Sequence, residues 1–340
     1  MLNGLDATLS ASRAETRPDA GTGVHMADSD RPQGAGLARW WPARMVIGGG
    51  ERRPGRRAAT GAEGGGKPVA GAGGACWGGR VNREEVLALF DRQMRRDVRA
   101  GGPSSRVERE GRVVRHVGAA EDWNAVLWSD LDEADADAVI AEQVRFFDGL
   151  GVEVEWKLYG HDRPADLGER LVKAGFVPDD RETLMVAQIG ELDLAVSPPE
   201  GVRLVPVTDE AGVDLMFRAS EQAFEEPSGH LRAQVLAQLT DDPESIRAFV
   251  AMAGDEPVCG ARMELNRGTA FASLWGGGTV PAWQGRGIYR ALVAHRARIA
   301  AGLGYEFLQV DASDQSRPIL QRLGFEVLGT TTPYRRKPGS

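Results

Sequence analysis

The residues with the most legible chemistry are Gln284-Gly285-Arg286-Gly287. They stand between a β-branched, glycine-loosened stretch (Thr269 to Val280, with Gly276, Gly277 and Gly278) and an apolar-spaced stretch through Ile288, Leu292, Val293 and Ile299. Pro281 has no amide to give a ladder, so a strand should stop there, turn tightly and enter a helix. Arg286 and Arg290 lie at that helix start, and its first turn holds no acid. Unpaired amides at a helix start point outward and carry partial positive charge, which makes the turn ready for an anion such as a pyrophosphate. Glycine at 285 and 287 lets a ligand approach the backbone without meeting a Cβ.

These residues carry a resemblance. Gln284-x-x-Gly287-x-Tyr289 resembles the acyl-CoA motif of the GCN5-related N-acetyltransferases, written Gln/Arg-x-x-Gly-x-Gly/Ala, with Tyr289 where a small residue is usual. Tyr305 to Val327 is similar to that fold's next strand and helix, closing on Leu323-Gly324-Phe325. The resemblance implies acetyl-CoA as co-substrate and direct attack by an amine in a ternary complex. It places Gln284, Gly285, Arg286, Gly287, Ile288, Tyr289 and Arg290 around the pyrophosphate. Gly278 and Thr279 match the strand that pairs with the pantetheine arm and offers an amide near the thioester carbonyl.

The proton chemistry departs from the family. Leu320 stands where a tyrosine often protonates the thiolate, and Ser313 where an asparagine opens the same helix. Ser316, grouped with the cofactor set, and Tyr289 are substitutes. A thiolate with a pKa near ~8.5 can also leave unaided. Glu264, Glu221 and Asp311 are the candidate bases, although a carboxylate in such a position is more often structural or solvated. Trp275, Phe271, Phe224 and Tyr334 could line an acceptor pocket or pack a core. Tyr334 is expected outside the last regular element.

Composition narrows the classes. A net charge of −8 over 340 residues argues against a general nucleic-acid binder. No apolar run approaches the ~20 residues needed to cross a bilayer. Cys76 and Cys259 imply no disulfide framework or metal cluster, and a reducing cytoplasm is the expected compartment.

The elements that must position the turn fall into two similar series. Residues 1–80 hold about two-fifths of the 44 glycines and no sustained period, so they read as a disordered tail or as sequence upstream of a true start at Val81. From Asn82, a predicted helix cap, helices and strands run to a Ser197-Pro198-Pro199 linker and then begin again. LYGHDRPADLGERLVKAGF in the first half mirrors VDASDQSRPILQRLGF in the second. The expected fold is therefore α/β, with two tandem copies at 81–196 and 200–340, each a mixed, mostly antiparallel sheet flanked by helices. At the first copy's helix start stand Asp130, Asp132, Glu133, Asp135 and Asp137, which would repel a pyrophosphate. The whole reads as a small-molecule amine acetyltransferase acting through its second copy, without nucleic-acid or membrane partners. A homodimer, another acyl-CoA, and a CoA-binding sensor without turnover stay open.

Overall fold

The computed structural model describes residues 82–100, 105–119, 122–225 and 227–340; the expectation for residues 1–80 lies outside them. Asn82 does cap the first helix, its side chain accepting the Glu84 amide at 3.0 Å. That helix, α1 (Arg83–Phe90), buries Val86 and Phe90 and runs on as a π-helical turn, Asp91–Arg96. The first half continues with β1 (Arg106–Glu110), β2 (Val113–Val117), β3 (Ala125–Ser129), α2 (Ala136–Leu150) and β4 (Val154–Tyr159). It closes with α3 (Leu167–Lys173), the two-residue β5 (Val177–Pro178) and β6 (Glu182–Gln188). The second half opens with β7 (Val202–Val207), α4 (Glu210–Phe224), α5 (Gly229–Asp241) and the hairpin β8 (Ile246–Ala253) and β9 (Glu256–Leu265). Then come β10 (Phe271–Thr279), α6 (Ile288–Gly302), β11 (Phe307–Ala312), α7 (Arg317–Arg322) and β12 (Glu326–Arg336).

One sheet joins both halves, in the order β1-β2-β3-β4-β12-β6-β11-β10-β9-β8-β7. Its two parallel pairs, β3 with β4 and β10 with β11, occupy matching places in the two halves. The halves exchange their last strands. β4 of the first half pairs with β12 of the second, and β11 of the second pairs with β6 of the first. Residue 331 opposes 182 and residue 329 opposes 184, so the centre of the sheet is approximately two-fold. A fragment starting at residue 200 would lack β6 and leave β11 an open edge, which sheets avoid.

Tyr334 corrects the expectation placed on it. It lies within β12, opposite Trp156 of β4, and its ring packs against the first half's core. The polar run Thr330-Thr331-Thr332-Pro333 hides a strand because its partner belongs to the other half.

Period-two alternation splits the sheet's faces. Trp156 and Val154 pack with α2 and α3, and Leu308 and Val310 with α6 and α7. The opposite face holds Tyr159, Leu184, Phe271 and Phe307 beneath Val86 and Phe90 of α1, with α4 and α5 alongside. α4 rides very close on β9. A Cβ on Gly260 would meet the Met216 carbonyl oxygen at 2.4 Å and Ser220 Oγ at 2.8 Å. Gly260→Ala is therefore expected to cost about 2–3 kcal/mol of stability by overpacking. Denaturant unfolding checks this, and a cost below about 0.5 kcal/mol, typical of an uncrowded surface site, would contradict it.

Candidate active site

The site is built where β10 and β11 separate. They pair only through Phe271–Ser273 and Phe307–Gln309, so their C-terminal ends splay apart. β10 also bulges. Trp275 opposes Arg262 and Gly278 opposes Gly260, which sets two residues, 276 and 277, against Ala261 alone. Gly276 takes φ +67° there, a region open to glycine. The bulge frees backbone groups beside the splay. Arg296 of α6, wholly buried, braces this point by donating Nη1 to the Arg262 carbonyl at 2.9 Å.

Past Pro281 the turn has the predicted form. Gly285 and Gly287 adopt φ +73° and +86°, with nothing within 4 Å of an added Cβ. Gly285, Arg286, Gly287 and Arg290 are exposed, and Gly287 caps α6 without any side-chain hydrogen bond or first-turn acid. Gln284 closes the turn, Nε2 donating to the Thr279 carbonyl at 3.1 Å, and Arg286 lies 4.5 Å above the Trp283 ring. The result is a bare helix start flanked by guanidinium groups. Such a start fits a phosphate.

The first half keeps the same frame and fills it. β3 and β4 pair only at residues 125–126 and 155–156, and β3 bulges at Leu127, between the Trp128–Val114 and Val126–Arg115 pairs. At the start of α2, however, Asp132 Oδ1 accepts the Ala134 and Asp135 amides at 2.9 and 3.2 Å. Asp135 Oδ1 takes the Asp132 amide at 2.9 Å, and Arg112 bridges both acids. The Arg112 hydrogen bond, with those two amides, holds the Asp132 carboxyl below its usual range. Carboxylates already occupy the place of an anion.

The remaining candidates separate by place. Thr279 turns its hydroxyl to the buried Cys259 thiol, 3.3 Å away, and leaves only its backbone at the strand end. Gly278 is packed so tightly that a Cβ would meet the Phe224 ring at 2.6 Å. Ile288 and Tyr289 are buried. The Tyr289 ring shares one core cluster with Leu320; its hydroxyl has no hydrogen-bond partner, and burial raises its pKa. Ser316 is fully buried and bonded to Ser313 at the start of α7. Glu221 accepts the Ser228 amide at 3.1 Å and faces Arg232 at 3.4 Å, tying α4 to α5. Glu264 stands opposite Ser273, at the closed end of the splay, 3.7 Å from Arg262. Burial pushes its carboxyl up while Arg262 and Trp275 pull it back. Phe271 and Trp275 are buried, whereas Phe224 lines a recess with Phe217, Ser220, Leu231, Arg262 and Gly276 beside the bulge. Asp311, the last candidate, is buried at the end of β11 with Oδ2 2.6 Å from Lys157 Nζ.

Lys157 comes from the first half. Sequence reading passed over it, together with Glu155 and Glu182, which are also buried on this face. The signal was available in β4, where Glu155, Lys157 and Tyr159 alternate with Val154, Trp156 and Leu158. Charges at alternate positions of a central strand mean a polar floor rather than a wet face.

Residues 213–325 match the model of the acetyltransferase (GNAT) family. That stretch is a GNAT acetyltransferase domain. Among solved structures, a GCN5-related N-acetyltransferase from Kribbella flavida matches with a TM-score of 0.56 at 17% identity, covering 75% of this chain and 95% of its own. A functionally unknown conserved protein from Staphylococcus epidermidis matches at 0.52 and 13%, covering 72% and 97%. Three-quarters of the chain exceeds residues 200–340 alone, so the shared fold takes in both halves. No curated protein matches in sequence. Among the described residues, no helix is long and apolar enough to cross a membrane.

Proposed function

We propose that the protein is a cytoplasmic N-acetyltransferase that moves the acetyl group of acetyl-CoA to the amine of a small molecule, using its second half. The carrying observation is the contrast between the turns that lead into the two helices. The glycine turn before α6 has neither a side-chain cap nor an acid, whereas the turn before α2 has its Asp132, Ala134 and Asp135 amides taken by the carboxylates of Asp132 and Asp135. The backbone amides from Gly285 to Arg290 would hold the pyrophosphate, with Arg286 and Arg290 adding charge. Gly278 and Thr279, at the free end of β10, would pair with the pantetheine arm. Acetyl-CoA, when bound, supplies the thioester. An amide freed by the bulge would then face the carbonyl oxygen, and a donor of that kind is commonly worth ~3 kcal/mol.

The acceptor enters from the face of α4 and α5, past the recess at Phe224. Its proton has a nearby destination in the carboxyl groups at the end of β11. With leucine at 320, the leaving thiolate takes its proton from solvent or departs unprotonated, as a pKa near ~8.5 allows. Burial raises the pKa of the Tyr289 hydroxyl and makes it the weaker donor. Release of free thiol from acetyl-CoA across a panel of amines tests the reading. Turnover with at least one primary amine is expected. Tight CoA binding with no thiol released from any amine would favour a CoA-binding sensor, in keeping with Leu320.

A further inference from the structure

The end of β11 holds more acid than base. Glu155 of β4, Glu182 of β6 and Asp311 of β11 are 4%, 8% and 8% exposed, and they share one face of the sheet with Lys157 of β4. Lys157 Nζ binds Asp311 Oδ2 at 2.6 Å. Arg335 of β12 lies 3.8 Å from Glu155 and 3.6 Å from Asp179 at the rim. Four carboxyl groups thus face two cations. Four buried oxygens of this group, both of Glu155, Glu182 Oε2 and Asp311 Oδ1, have no hydrogen-bond partner among the described residues, and those of Glu155 have Arg335 nearby. A buried carboxyl oxygen without a donor costs free energy, so it marks a place that a donor or a proton completes.

Position identifies the missing group. Leu184 opposes Asp311 and Thr183 opposes Ala312. Glu182, two residues beyond Leu184 on the same face, therefore stands past the last residue of β11, level with the mouth of the splay. The bare α6 start serves the same mouth from the second half.

We infer that Glu182 and Asp311 bind the ammonium of the acceptor, with Glu182 as its proton acceptor, so that the first half supplies the amine subsite of the second half's active site. This rests on the acetyltransferase reading above and adds the acceptor's chemistry: a primary amine that arrives charged. One N–H bond of the ammonium breaks and its proton passes to Glu182 Oε2, which leaves the nitrogen lone pair free. Burial, then the charge of Asp311, raise the Glu182 carboxyl to about 9 against the pull of Lys157. That value suits exchange with an amine, because proton transfer is easiest between groups of similar pKa. In the resting protein Glu182 would hold a proton near neutrality and release it when the ammonium binds.

The full-length protein tests this with Glu182→Gln, which keeps the shape and removes the charge, and with Glu182→Asp as a conservative control. The expected result is an acceptor KM raised at least tenfold in E182Q, partial recovery in E182D, and an unchanged Kd for CoA. Thermal melts with n-propylamine, putrescine and phenethylamine, each against its matching alcohol, give a readout apart from turnover. The amines should raise the wild-type Tm above the alcohols and fail to do so in E182Q. Equal KM and equal amine shifts in wild type and E182Q would overturn the subsite. If no amine is acetylated by the wild type, the acetyltransferase reading falls; the melts then still decide whether Glu182 binds amines.

Discussion

Gly287→Glu is expected to lower CoA affinity by at least a hundredfold while leaving most of the fold in place. Gly287 sits at φ +86° with nothing within 4 Å of an added Cβ, so a side chain can leave the backbone there without a clash. Its backbone strain costs about 1–2 kcal/mol. The charge matters more, since two like unit charges ~4 Å apart oppose each other by about 4 kcal/mol at an effective dielectric near 20. Gly287→Ala carries the strain without the charge and should lose about tenfold or less. Titration calorimetry on both variants separates the terms. Equal losses would assign the effect to backbone geometry, and unchanged affinity in the glutamate variant would move the cofactor elsewhere.

The second large effect is expected at Lys157. Removing one partner of a buried ion pair typically costs about 3–5 kcal/mol, because the other charge is left uncompensated. Lys157→Met should show a loss of this order near pH 7, since Asp311 would be left buried without the ammonium that binds it. Burial alone would lower the pKa of Lys157, but Asp311 and its neighbours raise it overall. The stabilisation a raised base brings is fully present below its unfolded pKa of about 10.4, so it operates across the neutral range. Glu182 runs the other way in pH. Its carboxyl is raised from 4.5 to about 9, so the stability associated with its neutral form is present below about pH 4.5 and is lost as pH climbs towards 9. Wild-type stability should decline over that window, and E182Q should flatten the decline. Denaturant midpoints at pH 5, 7 and 9 check both statements. A K157M protein as stable as wild type at pH 7 would show that the pair carries no net stability.

Much of the second half was legible in the chain itself. Glycine at 285 and 287, Pro281 before them and the apolar spacing after them each have a single local reading, and the structure follows it. The mirrored segments ending at Gly175-Phe176 and Gly324-Phe325 likewise disclosed the repeat. The strand exchange was hidden for a physical reason. β6 and β12 carry similar local patterns, and a pattern along one strand does not specify which neighbour that strand pairs with. The amine subsite was hidden with it, because Lys157 meets Asp311 across 154 positions and only the exchange brings them to one face. The first half's five acids around the start of α2 were visible in the sequence, but nothing local to Lys157 or Glu182 marked either as part of a site.

The number of CoA molecules bound by one full-length chain tests the central claim most directly. Both halves carry the splay and the bulge. In the turn leading into α2, however, the carboxylates of Asp132 and Asp135 take up the Asp132, Ala134 and Asp135 amides, whereas the glycine turn leading into α6 holds no acid. Calorimetric titration with CoA should therefore give one site per chain, abolished by Gly287→Glu. Two sites per chain, or one site that survives Gly287→Glu, would contradict the account.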